Sequence, residues 1–89
     1  MKLNVLFAQM YQDIAQGKHQ VVIPPHSAAN VETRPDGIKR VRFTADRLDL
    51  VADFQGDTLQ VNLATGKPLA TLVHGEVRAY ESDYRHMLY

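Results

Sequence analysis

The chain begins with a hydrophobic pattern that has the period of an α-helix. Apolar side chains recur at spacings of three and four residues, which places them on one face of a helix; they are Leu3, Leu6, Phe7, Met10 and Ile14. Polar residues such as Gln9 and Asp13 fall on the other side. Asn4 is a candidate N-cap, and Gly17 followed by Lys18 is typical of a helix end. The pattern predicts one amphipathic helix.

The next segment combines a short strand with an irregular stretch. Gln20–Ile23 is a β-branched run that Pro24 and Pro25 terminate, and it predicts an edge strand because proline has no amide hydrogen for a sheet ladder. From Pro24 to Gly37 the sequence contains three prolines and many turn-forming residues, with little periodicity. We therefore predict a loop over residues 24–37, about fourteen residues long.

Alternating apolar and polar residues in the middle of the chain predict a first hairpin. A turn at Ala45-Asp46 places Phe43 opposite Leu48 on one face of the sheet. The same register places Arg42 opposite Asp49 on the other face, where the two charges complement each other.

A second hairpin agrees with the first about which side chains face inward. A turn at Gly56-Asp57, with glycine where a type II′ turn favours it, places Phe54 opposite Leu59 and Leu50 opposite Leu63. Both hairpins then place the same four residues on one face, namely Leu48, Leu50, Ala52 and Phe54. Because a slip by one residue would turn this set to the other face, their agreement supports the register.

The remaining residues predict a third hairpin, a last strand and a short helix. The third turn lies at Thr65–Lys67, and Glu76–Tyr80 alternates as a final strand. Ser82 is a candidate cap for a C-terminal helix on which Tyr84, Met87 and Leu88 share a face. This apolar end is expected to dock on the protein's own core, with a second subunit as the alternative.

Together these elements predict an α+β fold. An N-terminal amphipathic helix packs on an antiparallel meander sheet of about five strands, and a short C-terminal helix follows. The 89 residues, 45% hydrophobic and 22% charged, are expected to form a single domain over residues 1–89.

Composition excludes several kinds of function. Cysteine is absent, which excludes disulfides, thiolate metal sites and a thiol nucleophile, and it favours a cytoplasmic location. The N-terminal apolar run is interrupted before it reaches the length of a signal or membrane-spanning segment, so no membrane association is predicted. Ten basic residues balance ten acidic ones, which gives no overall field for attracting nucleic acid.

No catalytic or metal-binding motif is recognisable. Ser27 and Ser82 are the only serines, and neither lies in a glycine-flanked elbow. The histidines show no spacing typical of metal ligands; they are His19, His26, His74 and His86. The aspartates that look clustered in the sequence are predicted to lie in turns or on a solvated sheet face; they are Asp46, Asp49, Asp53 and Asp57. We therefore predict no catalytic residue, cofactor or metal.

The leading functional hypothesis is a non-enzymatic interaction module that binds a protein partner or forms a homodimer. Apolar side chains among arginines on the outer sheet face are typical of an interface rim. Together with two C-terminal residues, they form the candidate partner-binding set of Ile38, Arg40, Arg42, Val51, Asn62, Tyr84 and Met87. The loop at residues 24–37 is a second possible contact region.

Two alternatives remain open at the level of sequence. A small nucleic-acid-binding regulator would use the basic residues Arg34, Lys39, Arg40 and Arg42. A small enzyme or ligand-binding protein would have its site in the 24–37 loop, where the usable groups are His26, Ser27, Glu32 and Arg34.

Overall fold

The computed structural model describes residues 2–89, which form a helix, an antiparallel sheet and a short C-terminal helical segment. In chain order the elements are α1 (Leu3–Ala15), β1 (Gln20–Ile23), β2 (Ser27–Thr33), β3 (Lys39–Ala45), β4 (Leu48–Gln55), β5 (Thr58–Leu63), β6 (Pro68–Val73), β7 (Glu76–Tyr80), a 3₁₀ turn (Ser82–Tyr84) and α2 (Arg85–Leu88). Over residues 2–89 the sheet has seven strands, ordered as in the sequence. The α+β class and the meander are confirmed, but the sheet has seven strands and not about five.

The predicted loop at residues 24–37 is wrong, because half of it, Ser27–Thr33, forms β2. This strand has a largely exposed surface and small or polar residues, so it lacks the alternation that identifies a half-buried strand. Its backbone pairs with β1 on one side and β3 on the other. Ladder hydrogen bonds therefore hold β2 in place, and burial of its side chains contributes little.

Helix α1 buries the predicted stripe of Leu3, Leu6, Phe7, Met10 and Ile14. Gly17 ends it with φ 83°, and the amides of Gly17 and Lys18 donate to the carbonyls of Ile14 and Asp13. This pattern is a Schellman motif and confirms the predicted C-terminus. The predicted N-cap at Asn4 is wrong, since Lys2 occupies that position and Asn4 lies inside the first turn. Burial of Leu3 brings the helix start closer to the N-terminus than the capping signal suggested.

The second hairpin has the predicted register, with Phe54 opposite Leu59 and Leu50 opposite Leu63. Gly56 alone has positive φ in that turn, as type II′ geometry requires. The third hairpin and the last strand are also confirmed, with a register shift where Pro68 pairs with Asn62.

The first hairpin turns one residue later than predicted, at Asp46-Arg47. Both turn residues have positive φ, 50° and 66°, as a type I′ turn requires. Arg42 therefore pairs with Val51, and the predicted pairing with Asp49 is wrong. The later turn shifts the pairing of β3 with β4 by two positions. Because side chains alternate with a period of two, the predicted inward residues of β4 stay on the inward face.

The sheet curves around α1, which lies between the two edge strands. The backbone of α1 lies close to β1 and, less extensively, to β7. The core fills the space between α1 and the concave face of the sheet. None of the helices within residues 2–89 has the length and apolar character needed to cross a membrane.

The C-terminal segment docks on this core as predicted. Leu88 of α2 is fully buried, while Tyr84 and Met87 are half-buried against the core. The predicted cap at Ser82 is wrong, because Glu81 holds the position before the 3₁₀ turn and no side chain caps it. Burial of Leu88, and not a capping hydrogen bond, holds this end in place.

Candidate functional site

On the outer, convex face of the sheet, Arg40 and Asp53 form a bidentate ion pair between β3 and β4. Arg40 Nε lies 2.7 Å from Asp53 Oδ1, and Arg40 Nη2 lies 2.8 Å from Oδ2. These hydrogen bonds lower the pKa of Asp53 below its ordinary value and raise the pKa of Arg40. Charge-assisted bonds in this fork geometry fix the orientation of both side chains.

The other predicted partner-binding residues of this face also have neighbours. Arg42 lies 3.7 Å from a Glu32 carboxylate oxygen, and the Asn62 side chain accepts a hydrogen bond of 2.9 Å from Gln60. Val51 and Ile38 are half-buried. The structure thus places Arg40, Arg42, Val51 and Asn62 on one face, with Ile38 just before β3, and gives Arg40 and Asn62 hydrogen-bond partners within the chain. Tyr84 and Met87 lie elsewhere, against the core.

The basic residues predicted for nucleic-acid binding do not form an uncompensated positive surface. Carboxylates lie within 4 Å of Arg34, Arg40 and Arg42, at 3.6 Å for Arg34 and Asp36. Lys39 pairs with Phe54, so its side chain falls on the opposite face from Arg40. A phosphate backbone would have to compete with these ion pairs.

The predicted loop site is dispersed by β2. His26 and Ser27 lie at the start of this strand and Arg34 lies beyond its end, about 20 Å away for seven extended residues. Glu32 lies beside Arg42. Across residues 2–89, no group of three or more histidine or carboxylate side chains is arranged to hold a metal ion.

Large exposed hydrophobic side chains lie instead around α1. Within the described part of the chain they are Val5, Val22, Tyr80 and Tyr89, which are 54%, 65%, 40% and 51% exposed. Val5 and Val22 line a pocket of about 160 Å³ between α1 and β1. Val5 and Tyr89 line a groove between α1 and β7, and the rings of Tyr80 and Tyr89 meet edge to face at 5.8 Å. We call these four residues the α1 surface.

The groove between α1 and β7 has a volume of about 530 Å³ and mixed walls. Nine residues line this "β7 groove": Asn4, Val5, Ala8, Gln9, Gln12, Gly75, Glu76, Val77 and Tyr89. Asn4 Oδ1 is buried in its wall and is the one buried side-chain oxygen or nitrogen of residues 2–89 without a hydrogen-bond partner. An unsatisfied acceptor of this kind costs about 1–3 kcal/mol.

Backbone groups of β7 also face away from the sheet. Glu81 donates its amide hydrogen to the Leu69 carbonyl at 2.9 Å, so its backbone faces β6 and that of Tyr80 faces outward. At the other end, Val73 and Glu76 close the two-residue turn, so the backbone of Val77 faces outward. Within residues 2–89, none of the backbone hydrogen bonds of turns, loops and caps uses these two amides.

The sequence contained weak signals for the α1 surface that its patterns did not reveal. Val5 is apolar but lies off the helical stripe, which places it on the side of α1 away from the core. Tyr89 belongs to the apolar C-terminal end, of which only part reaches the core. Neither signal indicates that these residues become neighbours, because that depends on how far the sheet curves.

Comparison with known proteins identifies no relative of this chain. No protein-family model, curated protein or solved structure matches the chain.

Proposed function

We propose that this chain is a non-enzymatic interaction module that binds a protein partner through the α1 surface. The observation that carries the proposal is the continuity of the exposed hydrophobic residues. Val22 shares a pocket with Val5, Val5 shares a groove with Tyr89, and Tyr89 contacts Tyr80. Exposed hydrophobic side chains scattered singly need no explanation, but a contiguous group beside polar residues is typical of an interaction site.

The residue types also favour this surface over the outer sheet face. Tyrosine provides a large contact area and a hydroxyl for hydrogen bonding, and it is enriched at interfaces. A partner that covered Val5, Val22 and the tyrosines would remove apolar area from water at about 25 cal/mol per Å². On the outer face, a partner would first have to replace the Arg40–Asp53 ion pair and the Gln60–Asn62 hydrogen bond.

The partner in this proposal is another protein or a second copy of the chain. Sedimentation velocity of the intact chain separates the two, because only a second copy gives a sedimentation coefficient that rises with protein concentration. The absence of cysteine makes the cytoplasm the proposed location.

A charge placed on each surface in turn tests the proposal. Val5→Asp adds a carboxylate to the α1 surface, and the first turn of a helix tolerates an acidic residue because it faces the positive end of the dipole. Val51→Asp is the matched control on the outer face. Proteins captured by the intact chain are identified and purified, and their affinity for the three forms is measured by calorimetry.

We expect Val5→Asp to weaken binding at least about tenfold, since it leaves a charge facing an apolar contact. We expect Val51→Asp to bind within twofold of the unchanged chain. Circular dichroism confirms that both variants fold. Loss of binding only in Val51→Asp would assign the partner to the outer face and reject the proposed surface, and failure of the intact chain to bind itself or any protein would reject the module.

A further inference from the structure

We infer that the partner is held as an extended strand, which adds to the free edge of β7 and directs alternate side chains into the β7 groove. This inference rests on the proposed function, because it names the shape of the partner and the part of the α1 surface that recognises it. It predicts a set of backbone hydrogen bonds that the proposed function alone does not require.

The free edge of β7 supplies the backbone groups for such a strand. Val77 and Tyr80 direct their amide and carbonyl groups away from β6, three residues apart along the edge. An edge of this kind is a template for another extended chain, since each unpaired group finds its complement there. The backbone groups of Glu76 and Glu81 already pair with β6, so an added strand would leave their hydrogen bonds unchanged.

The groove supplies contacts for the side chains of the added strand. Side chains of a strand alternate between its two faces, so every second one would lie against Val5 and Ala8. Ala8 is small and leaves space at the centre of this wall, and Tyr89 closes the groove beside Tyr80.

Size favours an extended segment over a folded surface. Nine residues line the β7 groove, whereas a stable interface between folded proteins takes about 20–30 residues on each side. A second folded copy would find too little area in the groove for a lasting contact. A strand needs less area because backbone hydrogen bonds and side-chain contacts act along the same few residues.

Charge defines the partner further. Glu76 is the one charged residue among the nine that line the groove. Its neighbour on the same strand, Arg78, lies 3.2 Å from the Glu76 carboxylate and balances its charge. The strand that fits therefore has apolar residues at alternate positions and needs no charged residue beside Glu76.

The other edge of the sheet is less suited to this role. The outward backbone groups of β1 belong to Gln20 and Val22, since His19 accepts from the Val31 amide at 2.8 Å. Pro24 follows directly, and α1 runs close along β1 and leaves a pocket of about 160 Å³. There is little room beside β1 for the side chains of an added strand.

Amide exchange tests the inference at the atoms concerned. The probe is a random ten-residue peptide library displayed on phage, selected against the intact chain and followed by synthesis of the tightest binder. On adding this peptide, we expect the exchange of the Val77 and Tyr80 amides, followed by NMR, to slow at least about tenfold because both gain hydrogen-bond partners. Exchange at Glu76 and Glu81 is expected to stay unchanged. N-methyl groups are placed on one peptide amide at a time. We expect binding to be abolished when the methylated amide lies at every second position of the peptide.

Three variants separate a strand from other forms of binding. Val77→Pro removes an outward amide hydrogen and keeps the hydrogen bonds to β6. We therefore expect it to lower the affinity for the peptide at least about tenfold. Gln20→Pro is its control at the outward amide of β1, where the affinity is expected to stay within twofold. Ala8→Trp fills the groove without altering the backbone of β7, and we expect it to block the peptide.

The outcomes distinguish this inference from the proposed function. If no peptide is selected, or if the selected peptide leaves the Val77 and Tyr80 amides unprotected, the strand is rejected. If Val5→Asp then still abolishes binding of a captured protein while Val77→Pro and Ala8→Trp bind it normally, the interaction module stands with a different docking mode. If Val5→Asp has no effect on any partner, the proposed function fails as well.

Discussion

The two edges of the sheet meet the same helix in different ways. Along β1, the inward side chains of Val21 and Ile23 are buried, and the remaining space beside α1 is about 160 Å³. Along β7, Val77 is only half-buried, Tyr80 is exposed, and the space beside α1 is about 530 Å³. The helix therefore seals one edge of the sheet and leaves the other open.

The difference originates in the residues of the two strands. β1 alternates with β-branched side chains inward, and these fill the space beneath α1. In β7 the register shifts between Leu72 and Thr71, so that Arg78 becomes an extra residue and the inward alternation is interrupted. A strand with fewer inward apolar side chains buries less apolar surface against the helix. The same edge consequently keeps a groove and unpaired backbone groups.

Shortening one valine in each edge strand gives the largest expected effect. Val21→Ala removes two carbons from a fully buried site and leaves a cavity, so we expect a loss of about 2–3 kcal/mol in the free energy of unfolding. Val77→Ala removes the same atoms from a half-buried site, and we expect about 1 kcal/mol or less. Urea unfolding followed by circular dichroism measures both. Equal losses would show that the two edges are packed alike and would remove the basis of the comparison.

Much of the fold could be predicted because its signals are local. The stripe of α1, the Schellman glycine at Gly17 and the Gly56 turn each depend on residues close together in sequence. The strand β2 could not be predicted, since its pairing on both sides replaces the burial that creates a hydrophobic pattern. The register of the first hairpin was displaced because Asp46 and Arg47 adopt positive φ without a glycine.

The candidate site was harder to predict than the fold. Its members come from α1, β1, β7 and the C-terminal end, and they meet only because the sheet curves around the helix. Alternation identified the outer face correctly, but it could not show that Arg40 is held by Asp53 or that Asn62 is bonded to Gln60. Curvature depends on packing across the whole sheet, and no short segment encodes it.

A methyl group added at the turn before β7 has the next largest expected effect. Gly75 has φ 85°, and a Cβ there would lie 3.3 Å from Cδ2 of Tyr11, whose ring packs beside Phe54. We expect Gly75→Ala to cost about 2 kcal/mol, from backbone strain and displacement of the ring. Gly66→Ala is the control, because Gly66 has φ 100° with open space around it, and we expect about 1 kcal/mol there.

Thermal and urea unfolding measure the two glycine variants, and peptide affinity gives a second reading. Displacing Tyr11 changes the end of α1 that borders the β7 groove. We therefore expect Gly75→Ala to lower the affinity for the selected peptide and Gly66→Ala to leave that affinity unchanged. If both variants lose the same stability and keep full affinity, the turn has no part in shaping the open edge.

The smallest expected effect lies on the outer face, which touches neither edge. The pKa of Asp53 is lowered in the folded state by its hydrogen bond from Arg40, so the ion pair adds stability above the ordinary pKa of aspartate, about 4. That stability is lost as the pH falls through the lowered value. We therefore expect Asp53→Asn to be slightly less stable than the unchanged chain at pH 7, and the difference to shrink as the pH falls below about 4. Urea midpoints across this range measure the change, and amide exchange at Val77 should be the same in both proteins. A difference that persists in acid would assign the role of Asp53 to packing, and altered exchange at Val77 would show that the outer face and the open edge are coupled.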